Sequence, residues 1–351
     1  MDSTKSGNST ISESLHAAKG LGIILVVLGH IDMPDIQPRI WTLAREVIYT
    51  FHMPLFMVVS GVLFAMKQNP ILSGHGYLAF IRKKAGRLLL PYMSITLILL
   101  LLKFTAAKFF TLSSPVARDI LSYIFLNPLG GFSNILWFVY TLFVIFMLFP
   151  LLRLIVQNEL LLFAVTILLS FLPWPQVFCL DLAFQYLPFF TAGCLLHKMS
   201  FLEDVRPSTG IVLPLCLYLV FFAMRTHVSS FALASQTLSI ALGVSGCLVC
   251  IAVAALMAGK ARFPAETIAA LGMYSGGIYL LHTIFMGAAK VSLTQVMHLG
   301  TSEFAVVALV MIFAGLVLPM VMEKFLIRRS AVASRFILGM KAPSKKFEVR
   351  S

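Results

Sequence analysis

Residues 19–30 read Lys19-Gly-Leu-Gly-Ile-Ile-Leu-Val-Val-Leu-Gly-His30, an aliphatic run between a cation and an imidazole. As a helix, the run rises roughly 16 Å and returns Lys19 and His30 to nearly the same face. If the helix enters a bilayer near Lys19, His30 lies near the middle of a hydrocarbon core of about 30 Å. Two interpretations follow. His30 is a base in a buried chamber with a cation at its entrance, or the helix is interfacial, with a snorkelling Lys and a His in the far headgroups.

The composition around this stretch is that of a membrane protein. Of 351 residues, 59% are hydrophobic and 12% are charged, and the mean hydropathy is +0.94. A soluble chain of this length needs more polar surface, so the sequence predicts an all-α integral membrane protein. The net charge of +13 is explained by basic cytoplasmic loops, and no nucleic-acid partner is expected. Cys247 and Cys250 lie one helical turn apart without a second ligand pair, so no metal site is predicted.

Hydropathy predicts about ten transmembrane helices with both termini inside, an orientation that places most Lys and Arg residues in the cytoplasm. The predicted spans are 17–34, 46–66, 86–107, 132–156, 160–176, 178–197, 209–225, 232–258, 265–289 and 303–325. Residues 1–16 are expected to be a disordered cytoplasmic N-terminus, 17–325 a membrane domain and 326–351 a basic cytoplasmic tail. The amphipathic segment 114–130 is expected to be a surface or re-entrant helix.

Two polar positions stand close to the first span. Asp32 could orient the imidazole of His30 as a carboxylate partner. It could equally be a helix-end residue in water, and the spacing favours water because residues i and i+2 do not share a helix face. In Phe51-His52-Met53-Pro54-Leu55-Phe56, a proline-kinked helix places His52 where it could line a cavity. A membrane-interface histidine is the alternative.

A basic cluster precedes the third span, in Arg82-Lys83-Lys84-Ala85-Gly86-Arg87. A stop-transfer cluster that binds anionic lipid is the simpler interpretation. The other is a site for a phosphate-bearing ligand from the cytoplasm, since Arg87 runs directly into the span with Lys84 one turn before it. The residues alone favour the lipid interpretation.

Two further stretches carry aromatic or ionisable side chains in apolar surroundings. Asn134-Ile-Leu-Trp137-Phe138 predicts either an interfacial aromatic belt or a platform on which a sugar ring packs. In Tyr279-Leu-Leu-His282, the histidine lies deep in a span, where an imidazole without a partner is costly. Tyr279 and His282 are therefore candidate site residues.

Taken in order, these five motifs resemble the acyltransferase-3 family of integral membrane O-acyltransferases over about residues 17–325. The Lys-Gly-Leu-Gly and Phe-His-Met-Pro variants are similar to the fucose 4-O-acetylase-like and polysaccharide-modifying branch. Many members carry Arg where this chain has Lys19, and Lys lacks the bidentate geometry of a guanidinium.

The resemblance implies transfer of an acyl group, most often acetyl, from acetyl-CoA to a hydroxyl of a surface glycan or its lipid-linked precursor in the bacterial inner membrane. It implies His30 as general base or transient acyl carrier, with Asp32, His52, Trp137, Tyr279 and His282 around the chamber. The residues expected to hold the coenzyme phosphates are Lys19, Arg82, Lys84 and Arg87. Membrane lipid and polysaccharide-synthesis machinery are the other expected partners. The alternative is a glycan exporter without catalysis, although the internal repeats expected of a transporter are not evident in the sequence.

Overall fold

A computed structural model describes residues 2–67, 74–106, 120–130, 134–202, 205, 208–228, 232–258, 264–296 and 300–340. All regular elements in these ranges are helical. The α-helices are α1 (Asp2–Gly29), α2 (Arg39–Met66), α3 (Gly74–Ala106), α4 (Ile120–Phe125), α5 (Trp137–Ile155), α6 (Glu159–Ser170), α7 (Leu180–Lys198), α8 (Leu213–Val228), α9 (Ala232–Met257), α10 (Ala265–Val296), α11 (Phe304–Phe325) and α12 (Ala331–Leu338). The predicted all-α class is confirmed.

Within the described ranges, eight helices are long and apolar enough to cross a membrane, and the protein is an integral membrane protein. The apolar stretches Glu159–Ser170 and Gly210–Arg225 are shorter. If both also cross, the chain has ten spans. The count of ten and the inside location of both termini therefore stay predictions.

The first helix differs from its predicted bounds at both ends. It is helical from Asp2, so residues 2–16 of the segment expected to be disordered belong to α1, and residue 1 lies outside the described residues. It stops at Gly29, and the backbone N–H of His30 still donates to the carbonyls of Val26 and Val27. Its apolar part is Ile11–Gly29. Lys19 thus lies within this candidate span and His30 follows it directly, and the depth of His30 in the membrane stays a prediction.

Helix α3 also begins earlier than predicted, at Gly74 rather than residue 86. The basic cluster is therefore part of a helix rather than of a loop before it. Of the amphipathic segment 114–130, residues 114–119 lie outside the described residues. The rest contains the short α4, which packs between neighbours through hydrogen bonds from the Tyr92 hydroxyl to the Ile124 carbonyl and from Tyr140 to Phe125.

Glycines bring α1 and α10 into backbone contact. A Cβ on Gly20 would lie 1.9 Å from the carbonyl oxygen of Ile268, and one on Gly272 would lie 1.8 Å from that of His16. Small residues at such crossings let membrane helices approach closely, where van der Waals packing holds them together. The pairing fixes α10 alongside α1, so that His282 comes level with His30.

Glycines also bring α2 and α7 into backbone contact. A Cβ on Gly61 would lie 1.9 Å from the carbonyl oxygen of Phe190, and one on Gly193 would lie 2.0 Å from that of Val58. Helices α1, α2, α7 and α10, with α9 against α1 and α2, form the centre of the bundle. The histidines singled out in the sequence lie on three of these elements.

Candidate active site

His30 sits at the carboxyl end of α1, where helix carbonyls have no partner within the helix. Its Nδ1 donates a hydrogen bond to the Val26 carbonyl at 2.8 Å. That bond assigns the ring proton to Nδ1 and leaves Nε2 as the basic nitrogen. The side chain is half-buried. His30 is therefore a fixed imidazole whose proton-accepting atom is directed away from its own helix.

His282 of α10 meets His30 directly. The two ring centroids are 4.8 Å apart at an interplanar angle of 83°. His282 is fully buried, and its Nδ1 donates to the carbonyls of Ile278 and Tyr279 at 3.1 and 2.8 Å. Its Nε2 has no hydrogen-bond partner among the described residues. A buried polar atom without a partner marks a place where a ligand or water group is missing from the protein's own contacts.

His52 of α2 completes the group of histidines. Its Nδ1 donates to the Ile48 carbonyl at 2.8 Å, and its ring packs edge-on against Tyr49 at 5.0 Å. The Tyr49 hydroxyl in turn donates to the Gly29 carbonyl, next to His30. The structure thus brings together His30, His52 and His282, hereafter the histidine cluster, from three separate helices.

Asp32 does not contact the His30 ring. Its carboxylate pairs with Arg45 at 2.6 Å and is 58% exposed, which agrees with the helix-end interpretation favoured by its spacing. Arg45 also donates from Nε to the Gly29 carbonyl at 3.0 Å. Burial lowers the pKa of His30, the hydrogen bond to Val26 raises it in part, and the positive charge of Arg45 lowers it further.

Tyr279 and Trp137 lie on the aromatic wall beside the cluster. The Tyr279 ring is 6.0 Å from His282, and its hydroxyl donates to the Ile135 carbonyl at 2.6 Å. Trp137 packs against Tyr186 of α7 at 5.1 Å. Tyr279 therefore lies beside His282, whereas Trp137 reaches Tyr279 through the ring of Phe138.

The predicted phosphate-binding cations lie at the opposite end of the bundle, around Arg87. Lys19, Lys67 and Lys84 are each close enough to Arg87 for electrostatic repulsion. The Lys84 ammonium also lies over the Phe146 ring, 3.2 Å from its centroid. No carboxylate in the described ranges forms an ion pair with any of the four. Lys19, Lys67, Lys84 and Arg87, hereafter the cation cluster, form an anion-attracting region. Arg82 and Arg87 are both exposed, but Arg82 takes no part in the electrostatic contacts that join the four.

Sequence reasoning missed Arg45, Tyr49 and Lys67. Arg45, Tyr49 and His52 follow a spacing of four and then three residues, which places them on one face of α2. That spacing was the available signal, but Arg45 was obscured by its position before the predicted start of the span at residue 46. Lys67 carried no comparable signal, because its neighbours in the cation cluster come from other helices.

A cavity of about 610 Å³ lies between α2, α7, α8 and α9, and none of the three clustered histidines lines it. Arg45 and Tyr49, which both bind the Gly29 carbonyl, form part of its wall. Tyr186, Gln185 and Gln236 line it from α7 and α9. The cavity therefore shares two wall residues with the surroundings of His30.

Comparison with known proteins yields one family. The family model Acyl_transf_3, described as an acyltransferase domain, matches residues 12–324, nearly the whole chain. No curated protein and no solved structure matches the chain. The matched range includes the histidine cluster, the cation cluster and the walls of the cavity.

Proposed function

The chain belongs to the Acyl_transf_3 family and is a membrane acyltransferase, and on this premise we propose that it transfers an acetyl group from cytoplasmic acetyl-CoA to a sugar hydroxyl. The acceptor is a surface glycan or its lipid-linked precursor, as in the polysaccharide-modifying branch that the Lys19-Gly-Leu-Gly22 and Phe51–Pro54 motifs resemble. The protein then works in the bacterial inner membrane, next to the machinery that makes the glycan.

The observation that carries this proposal is the pairing of His30 with His282. An alcohol is a poor nucleophile at neutral pH, and a positioned imidazole that takes its proton contributes typically 10²–10⁴-fold. The Nδ1 bond to Val26 leaves His30 Nε2 for that task. The unpartnered Nε2 of His282 supports a polar reacting group beside the two rings, which are in edge contact with each other.

The reaction then runs in balanced steps. As the acceptor oxygen attacks the thioester carbon, its proton moves to His30 Nε2. The C–S bond breaks, the CoA thiolate takes that proton from His30 Nε2 and so regenerates the base, and the products are an O-acyl ester and free CoA. Positive charge on His30 forms at the carboxyl end of α1, where the helix dipole favours a cation. The first helix thus both fixes the base and stabilises its charged form.

The cation cluster supports CoA as the donor. Four cations without a paired carboxylate in the described part of the chain suit a pyrophosphate and a ribose phosphate. Lys19 and His30 lie roughly 16 Å apart along one helix. The pantetheine arm of CoA separates its phosphates from its thioester in the same way, so that one bound donor reaches from the cation cluster to His30.

The test is the ester content of surface glycan in a deletion strain complemented with wild type, His30→Ala or His197→Ala. His197 is a matched control, since it is a half-buried histidine in the last turn of α7 and belongs to no part of the site. We expect the ester content of the glycan to fall at least a hundredfold with His30→Ala and to match wild type with His197→Ala. Blots should show equal amounts of the three proteins in the membrane.

Two results would count against the proposal. If the glycan of cells carrying His30→Ala has the wild-type ester content, His30 is not the base. Normal ester in the deletion strain, with glycan retained inside the cell, replaces the transferase with a glycan exporter.

A further inference from the structure

From the cavity between α2, α7, α8 and α9, we infer an acceptor subsite that binds an uncharged sugar ring beside Arg45 and Tyr49, the two wall residues that bind the Gly29 carbonyl at the end of α1. The inference rests on the proposed function and adds the place, the chemistry and the direction of acceptor entry. The volume of the cavity, about 610 Å³, lies within the range of roughly 300–1,000 Å³ usual for small-molecule sites.

The lining combines the aromatic rings of Tyr49, Tyr186 and Phe189 with amide and hydroxyl groups. Tyr186 packs against Trp137 and is a ring on which an apolar sugar face can pack. Gln185 and Gln236 supply amides to the same space. The Gln236 Nε2 already donates to the Ser170 carbonyl, so its Oε1 is the atom that accepts from a ligand hydroxyl. Amides and hydroxyls that both donate and accept match a ligand rich in hydroxyls.

The charges in the wall are paired, which favours an uncharged ring. Arg45 is held by Asp32 at 2.6 Å, and Arg225 lies 3.9 Å from Glu46. An anionic sugar would have to compete with these carboxylates for the guanidinium groups. The Arg45–Asp32 pair also holds the loop after His30, so the cavity wall and the base are positioned by one contact.

The cavity lies at the end of the bundle opposite the cation cluster. Its α2 residues run from Thr42 to Pro54, whereas Lys67, at the far end of the same helix, belongs to the cation cluster. Donor and acceptor therefore approach His30 from opposite ends. With the predicted orientation, the acceptor enters from outside the cell.

A substitution that fills the cavity tests this inference. Ser239 lines the cavity and Thr237, two residues away on α9, is exposed without lining it. Both hydroxyls donate to the carbonyl four residues earlier, at 2.9 and 2.8 Å. Ser239→Trp and Thr237→Trp are therefore a matched pair. Gln185→Ala is a second, gentler variant, because Gln185 is exposed.

The readouts are the ester content of surface glycan in complemented cells and the binding of acetyl-CoA to detergent-purified protein by equilibrium dialysis. We expect Ser239→Trp to lower the ester at least tenfold and Gln185→Ala threefold or more. Thr237→Trp should match wild type, and acetyl-CoA binding should stay within twofold in all three.

The outcomes are distinguishable. Ester in Ser239→Trp equal to that in Thr237→Trp overturns the subsite and leaves the transferase intact. Loss of acetyl-CoA binding in Ser239→Trp together with Gln185→Ala assigns the cavity to the donor and also overturns it. Wild type that neither forms ester nor binds acetyl-CoA overturns the proposed function and the subsite together.

Discussion

At the scale of residues, the three clustered histidines are held in apolar surroundings in the same way. Each donates from Nδ1 to the carbonyl four residues earlier, Val26, Ile48 or Ile278. A helix can therefore fix the tautomer of its own histidine without a carboxylate partner. This explains why Asp32 is not needed at His30 and is instead paired with Arg45.

The pH dependence of kcat/KM follows from the surroundings of His30. A general base must be unprotonated, so activity rises as pH rises through the pKa of the base. Because burial and Arg45 lower the pKa of His30 from its usual value of 6.5, we expect the acidic limb to have its midpoint below pH 6.5 and activity to be flat across neutral pH. A pH–rate series with saturating acetyl-CoA measures this. A midpoint at or above 6.5 contradicts it.

At the scale of elements, close helix crossings decide which residues meet. Membrane helices gain little from burying apolar surface against one another, so tight van der Waals contact at small residues is what aligns them. The crossing of α1 and α10 at Gly20 and Gly272 sets their register. Ten residues beyond each glycine stand His30 and His282. The contact between the two rings therefore depends on a crossing elsewhere on the same helices.

Gly272→Ala tests whether the ring contact depends on this crossing. Gly276→Ala, one turn further along α10, is the control. A Cβ at Gly272 would lie 1.8 Å from the His16 carbonyl oxygen, whereas one at Gly276 would meet nothing within 4 Å. Overpacking of this kind costs about 1–3 kcal/mol, so we expect Gly272→Ala to lower the melting temperature in detergent and the transferase activity. Gly276→Ala should match or exceed wild type, since Ala favours a helix over Gly. Equal melting temperatures would contradict the role of the crossing.

At the scale of the whole molecule, the bundle separates two chemistries along its length. The cation cluster gathers around Arg87 at one end, and the histidine cluster and the cavity lie at the other. An arrangement of this kind lets a cytoplasmic donor and an external acceptor meet without either crossing the membrane completely. It depends on the orientation of the bundle, which the distribution of basic residues predicts.

Reporter fusions check that orientation. If α6 and α8 both cross, the chain has ten spans and its C-terminus is inside. We then expect green fluorescent protein fused after Ser351 to fluoresce, and alkaline phosphatase fused after residue 106, beyond α3, to be active in the periplasm. A dark C-terminal fusion with an active C-terminal phosphatase would contradict the inside C-terminus. An inactive phosphatase after residue 106 would place the cation cluster outside.

The sequence by itself determined the all-α membrane class, because a chain with 59% hydrophobic residues can satisfy its backbone in lipid as helices. The ordered motifs also indicated the family. They contain the three histidines of the histidine cluster and three of the four cations of the cation cluster, Lys19, Lys84 and Arg87. Helix ends were less predictable. The end of α1 depends on His30, Arg45 and Tyr49 satisfying carbonyls of its last turn, and two of these residues belong to another helix.

Only the tertiary structure decided which of these positions meet. His30, His52 and His282 are separated by long stretches of chain, and no local period links them. Their convergence comes from glycine crossings and from hydrogen bonds between α2 and the end of α1. Contacts between helices also pair Asp32 with Arg45 and bring Lys67 close to Arg87. They also form the cavity that Tyr49 lines. Each is a contact between elements, which local spacing along the chain cannot encode.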